Sequence, residues 1–184
     1  EGTYQSLEPE QIQVLIAAMA MPWNLFYELL WETGVRVSEG LNLRVEDLLD
    51  GANGPVLKVN TLKQKKGVYR LVPIENRQLW ARLKAIKPYR KFLFAYTRQS
   101  AWKALKRAAR IAGIDPTIVH PHVFRHSFAV NFFSKFGDDE ASKIQALPFV
   151  QARLGHKSIQ STGVYLKPVW DTLDRQFRRV WRLQ

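Results

Sequence analysis

The chain has no cysteine among its 184 residues, which excludes disulfides, thiolate zinc sites and a cysteine nucleophile together and is at home in a reducing compartment. Any metal would have to be held by imidazole or carboxylate. Acidic residues are scarce as well: 16 Asp and Glu face 28 Lys and Arg, a net charge of +12 with a pI near 10.1. An excess of that size, spread along the whole length, calls for a polyanionic partner. Anionic membranes and ribosomal RNA would satisfy it as well as DNA, so composition selects only a class of ligand. There is no apolar run of about eighteen residues, the length a spanning helix needs. The opening also lacks a basic start, apolar stretch and small-residue cleavage site. The expectation is a soluble, cytoplasmic protein with no membrane partner. Neither internal repeats nor low-complexity stretches occur, and 46% hydrophobic residues with 12% aromatics are the composition of a globular domain.

What is present reads as helix interrupted by one small sheet. Pro9 in a first turn followed by Ile12, Leu15, Ile16 and Met19 has helical spacing, and Phe26, Leu29 and Leu30 continue it to a stop at Gly34. Ser38 is a candidate cap for a short helix through Leu43. Val56 to Asn60 and Tyr69 to Ile74 read as strands of a β-hairpin whose tip carries Lys63-Gln64-Lys65-Lys66-Gly67. Further helices are expected over Glu75 to Ile86, Ser100 to Ala112, Pro121 to Phe136, around Phe149 to Leu154, and over Trp170 to Arg182. Loops are expected at Asp50 to Pro55, Lys87 to Tyr96 and Gly137 to Asp139. The fold class is mainly α with a small antiparallel β-hairpin sheet.

Four places could carry chemistry. Arg36 sits at a helix break, where a side chain can project toward a ligand. His122 and Arg125 are spaced H-x-x-R at a helix start, about one turn apart on one face, and can reach the same anion. His156 follows a glycine turn, and Tyr165 precedes Lys167-Pro168. Singly, each has a plain structural explanation: a solvated arginine, a capping histidine, a core tyrosine. His120-Pro121-His122 has no third ligand at a recognisable spacing, so no metal site is assigned. The Asp138-Asp139-Glu140 run is explained by a helix start, because two-metal chemistry needs carboxylates converging from separate elements.

Their order is more specific than any one of them. Thr33-Gly34-Val35-Arg36-Val37-Ser38-Glu39, Arg70-Leu71-Val72-Pro73-Ile74, His122-Val123-Phe124-Arg125-His126-Ser127-Phe128-Ala129 and Leu154-Gly155-His156-Lys157-Ser158, with Tyr165 nine residues after His156, resemble the signature boxes of the tyrosine recombinase, or phage integrase, family. The resemblance runs from the first helix to Tyr165. It implies that Arg36, His122, Arg125 and His156 hold the phosphate, that Tyr165 is the nucleophile, and that a hairpin lysine is the general acid. Lys65 is favoured by its place just before the turn at Gly67, with Lys63 and Lys66 as alternatives set by turn register. One departure is a longer stretch than usual between Arg125 and His156, with residues 136–146 as the extra material, read as a surface insertion or a subunit contact.

The chemistry suits these residue types. Phosphodiester transfer builds negative charge on the non-bridging oxygens, which two permanently charged guanidiniums can hold bidentately. A tyrosine hydroxyl, with an unperturbed pKa of about 10, needs cationic neighbours to attack at neutral pH. The leaving 5′ oxygen needs a proton, which a lysine of lowered pKa can give. No cofactor, ATP or metal is called for. The expected protein is a site-specific recombinase or integrase of mobile-element type, cutting and rejoining double-stranded DNA through a 3′-phosphotyrosine and residing with the nucleoid. The resemblance implies four protomers on two duplexes, a further N-terminal DNA-binding domain for which this chain has no room, and a C-terminal helix over 168–184 docking on a neighbouring subunit or on its own domain. Glu1 in place of Met fits a piece of a longer protein. Type IB topoisomerases and telomere resolvases share the chemistry, and a non-catalytic DNA-binding protein could share the fold.

Overall fold

The computed structural model describes residues 6–61, 68–137, 139–156 and 162. Within them the order is α1 (Pro9–Ala17), α2 (Trp23–Thr33), α3 (Val37–Leu41), β1 (Leu48–Gly51), β2 (Gly54–Asn60), β3 (Tyr69–Pro73), α4 (Arg77–Lys84), α5 (Arg98–Ile111), α6 (Pro121–Ser134) and α7 (Glu140–Leu154), with a 3-10 turn at Val45–Asp47 before the sheet. The chain divides into two compact units, residues 1–128 and 129–184, with α6 running across the boundary. Among the described residues no helix is long and apolar enough to cross a membrane.

The first unit is organised around α2. Its residues Leu25, Phe26, Tyr27, Leu29 and Leu30 are all buried, because apolar positions fill more than one face of the helix. Phe26 meets Phe94 edge-on at 5.0 Å, and Tyr27 lies 4.8 Å from the Phe124 ring of α6. The Tyr27 hydroxyl donates to the Ala101 carbonyl of α5 at 2.8 Å, and burial pushes its pKa far above the ordinary phenol value. Tyr27 is therefore a core tyrosine with a satisfied hydroxyl. At α3 a Cβ on Gly40 would stand 3.1 Å from Phe26 Cε2 and 3.2 Å from Leu30 Cδ2, so a glycine lets α3 lie close against α2. The backbone N–H of Leu7 donates to Ser127 Oγ at 2.8 Å, pinning the start of the chain to α6.

The sheet has three antiparallel strands in the order β1-β2-β3, with Leu57 opposite Leu48 and Val72. β2 and β3 fall where the alternation of buried Leu57, Val59 and Val72 places them. The third strand, β1, was not foreseen: its last two residues, Asp50 and Gly51, and the first two of β2, Gly54 and Pro55, pair as strand at the ends of the loop expected over Asp50 to Pro55. Its residues are only half-buried or exposed, so it has no period-two apolar signature. The pairing is created by a tight turn at Ala52-Asn53, closed by Gly51 opposite Gly54, which has φ +121°.

In the second unit, residues 140–146 of the extra material are helical. Asp139 caps α7, its carboxylate accepting from the Ser142 N–H at 2.9 Å and from its hydroxyl, and one helix runs from Glu140 to Leu154 through Pro148. Sequence reasoning found only the part from Phe149 onward, since an internal proline costs a backbone bond and usually marks a boundary. Packing overrides it here: Ala146, Leu147, Val150 and Leu154 are buried at helical spacing. Phe149, exposed, stacks on exposed Phe136 at 5.9 Å.

Candidate active site

α2 ends on Gly34, whose left-handed conformation (φ 66°) only glycine adopts without cost, and whose N–H closes the helix on Leu30 O at 2.9 Å. The chain then turns into α3 with Arg36 at the cap position. The Arg36 N–H donates to Glu39 Oε2 at 2.8 Å and its Nη1 to Glu39 Oε1 at 3.0 Å. Glu39 thus does the capping that sequence reasoning gave to Ser38, reaching back from the third helical position. From β3, Arg70 presents two nitrogens to the same carboxylate, Nη1 to Oε1 at 3.0 Å and Nη2 to Oε2 at 2.8 Å. The Glu39 side chain is 2% exposed, Arg70 11% and Arg36 29%, so of the three Arg36 is the one open to an incoming ligand.

α6 brings in the second arginine. Arg125 is buried and its Nη1 donates to the Gly34 carbonyl at 2.7 Å. The same helix break that exposes Arg36 therefore anchors Arg125 by its carbonyl. His122, in the first turn of α6, has its pKa held below the ordinary imidazole value by desolvation first and then by the charges of His120, Arg125, Arg98 and Arg36. It is neutral at pH 7 in the absence of an anion, and a bound phosphate would raise its proton affinity. One turn on, His126 is pushed down to about 4, by burial first and then by His122, His120 and Arg125.

The second unit carries His156. Gly155 ends α7 in the left-handed conformation (φ 65°), and the His156 N–H returns to Gln151 O at 3.1 Å. The ring Nδ1 is 2.8 Å from the hydroxyl of buried Thr162, which fixes the ring's orientation.

Of the residues singled out from sequence, the structure gathers Arg36, His122 and Arg125 in the first unit and holds His156 in the second. Lys63, Lys65, Lys66, Tyr165 and the 168–184 helix lie outside the described residues. Three contributors escaped sequence reasoning: Glu39, Arg70 and Thr162. For Glu39 a signal existed, an acid three residues after a helix-start position. Arg70 heads one of the boxes that carry the resemblance, but its role was not legible there, because its partner lies 31 positions away.

Glu39 also gives a stability prediction. Burial alone would raise its pKa, but the hydrogen bonds and charges of Arg70 and Arg36 outweigh burial and hold it below the usual value. A carboxylate lowered on folding stabilises the native state above its unfolded pKa and loses that stability as pH falls through the folded one. Acid unfolding should therefore draw on Glu39 below about pH 4.5. Glu39→Ala, which takes the shared carboxylate from two guanidiniums, should cost about 3 kcal/mol at pH 7, the lower end for a broken buried pair because Arg36 keeps solvent. Urea denaturation at pH 7 and pH 3 measures both, and an unchanged difference between the two pH values in the variant would show that Glu39 is not the group lost in acid.

Residues 5–169 match the model of the Phage integrase family. Among curated relatives, tyrosine recombinase XerD of Corynebacterium glutamicum is 32% identical over 169 residues, covering 84% of this chain and 50% of the relative. XerD of Xanthomonas axonopodis pv. citri is 33% identical over 188 residues, covering 88% and 57%. The chain thus spans about half the length of these relatives. Among solved structures, the XerH site-specific recombinase bound to difH substrate superposes with a TM-score of 0.70 at 22% identity, covering 88% of this chain and 49% of that one. The catalytic domain of bacteriophage HP1 integrase gives 0.65 at 24%, covering 88% and 86%. These likenesses show a shared fold.

Proposed function

This chain belongs to the phage integrase family, and from that premise we propose that it is the catalytic domain of a site-specific recombinase that breaks and rejoins duplex DNA through a 3′-phosphotyrosine. One observation carries the reading: two arginines from distant parts of the chain, Arg36 and Arg125, are tied to one helix break, the first through Glu39 and the second through Gly34 O. Two fixed guanidiniums beside a histidine of lowered proton affinity form a receptor for a phosphodiester whose charge grows in the transition state. Arg36 and Arg125 bind the non-bridging oxygens. His122 and His156 add hydrogen bonds and accept or return a proton.

Tyr165 attacks the phosphorus. The 5′ oxygen leaves with a proton from a hairpin lysine, Lys65 by its place before Gly67 and Lys63 or Lys66 otherwise. The 3′ phosphate stays on the tyrosine, and attack by a 5′ hydroxyl restores the backbone and frees the phenol. The chemistry calls for no cofactor. The net charge of +12 supports the phosphate backbone as partner, with affinity that falls as salt rises. A further DNA-binding domain in the same polypeptide belongs to the same reading, supported by the greater length of the relatives; four protomers on two duplexes, a docking role for residues 168–184 and association with the nucleoid are what the family resemblance implies.

The test is trapping on nicked suicide DNA carrying a candidate recombination site, in EDTA, followed by denaturing electrophoresis and mass spectrometry of the linked peptide. An adduct on Tyr165 without metal supports the reading; no adduct on the protein's own site favours a DNA-binding role without catalysis. Relaxation of supercoiled plasmid or formation of hairpin ends, in place of recombinant products, would move the chain to the topoisomerase or resolvase reaction. Thr162→Val removes the partner of His156 Nδ1 and should slow adduct formation about tenfold, the equivalent of one hydrogen bond of about 1.4 kcal/mol. Thr162→Ser should keep the parent rate; equal rates in Val and Ser variants would show that the hydroxyl does not orient the ring.

A further inference from the structure

We propose that Arg70 is a positioning residue for the phosphate-binding arginine, acting on Arg36 through the shared carboxylate of Glu39. The inference rests on the strand-cleaving reading above. Both Glu39 oxygens are used twice: Oε1 accepts from Arg36 Nη1 and Arg70 Nη1, and Oε2 from the Arg36 N–H and Arg70 Nη2. A carboxylate held by one arginine alone could rotate about its last side-chain bond. The flat fork of Arg70, issuing from a strand paired along its length with β2, fixes the plane of that carboxylate and so the direction in which Arg36 Nη1 is pulled.

Charge gives a second reason. A lone Glu39 would neutralise Arg36 and weaken its hold on an anion. With Arg70 on the same carboxylate the three groups carry a net single positive charge. Arg70, 11% exposed, turns both terminal nitrogens to Glu39, so that surplus is presented to a ligand by Arg36, the most open of the three. Arg70 thus shapes the site without touching the DNA.

A role exerted through Arg36 is felt only where Arg36 works, on the non-bridging oxygens. The experiment compares single-turnover adduct formation by this chain and its Arg70→Ala, Arg70→Gln and Arg36→Ala variants on two suicide substrates. One has the natural phosphodiester, the other a methylphosphonate at the scissile position, in which one charged oxygen is replaced by a methyl group. On the natural substrate Arg70→Ala should be slower by about ten- to a hundredfold, less than the hundred- to thousandfold of a lost direct donor. On the methylphosphonate, where there is little charge to hold, both Arg70→Ala and Arg36→Ala should come within a few-fold of the parent. Arg70→Gln, which can bond Glu39 without charge, keeps the comparison open should the alanine variant fail to fold, and should show the same recovery in weaker form.

Equal slowing of the Arg70 variants on both substrates would overturn the proposal in favour of a purely structural role, as would an unchanged rate on the natural one. Recovery with a 5′-phosphorothiolate, whose sulfur leaves without a proton, but not with the methylphosphonate would overturn it too and place the effect on the general acid. If the parent forms no adduct on the natural substrate, the strand-cleaving reading itself fails, and the inference with it.

Discussion

Phenylalanine at position 165 should abolish the covalent adduct while leaving DNA binding intact. The substitution removes one oxygen and keeps the ring, so the net charge is unchanged and the proposed nucleophile is lost. Tyr27 is buried, donates to Ala101 O and has its pKa far above the ordinary value, and a neutral, engaged phenol is no nucleophile. Water attacking in its place would give a nicked strand without a protein link. The measurements are adduct yield on the suicide substrate and affinity by mobility shift for parent and Tyr165→Phe side by side. An adduct that persists in the variant would place the nucleophile elsewhere in the chain. Loss of binding together with the adduct would mean that position 165 supports the fold.

Arg125→Ala should be nearly as damaging, and in two separable ways. As a donor to the developing charge on the phosphate, Arg125 should be worth about 100- to 1000-fold in the rate of adduct formation. As the partner of the buried Gly34 carbonyl, its removal leaves an unmatched acceptor and should cost about 1 to 3 kcal/mol of stability. Arg125→Lys separates the two. A lysine keeps the charge but has no planar fork, so it cannot serve the carbonyl and the phosphate together, and the rate should still fall by more than about tenfold. Single-turnover kinetics at saturating DNA, with urea denaturation of the same preparations, reads both effects. A rate within a few-fold of the parent for Arg125→Ala would remove this residue from the site.

Much of the site was legible in the residues because its parts are local. Arg36 at a helix break, His122 and Arg125 one turn apart, and His156 after a glycine cap each sit in a short stretch whose conformation the stretch itself dictates. The helix stop at Gly34 follows from a single residue with few alternatives. β1 and the first half of α7 were harder. β1 has no buried alternation, and α7 contains Pro148, so in both the local signal was absent or pointed the other way until packing and pairing decided.

By itself the sequence determined the candidate residues, the net positive charge and the mostly helical class, since charge, side-chain chemistry and short-range periodicity belong to the chain whatever its fold. Only the tertiary structure decided how the arginines are held. Glu39 is shared with Arg70 across 31 positions and Gly34 O is given to Arg125 across 91. Such pairings depend on which elements come together in space, a property of the packed core that no local window contains.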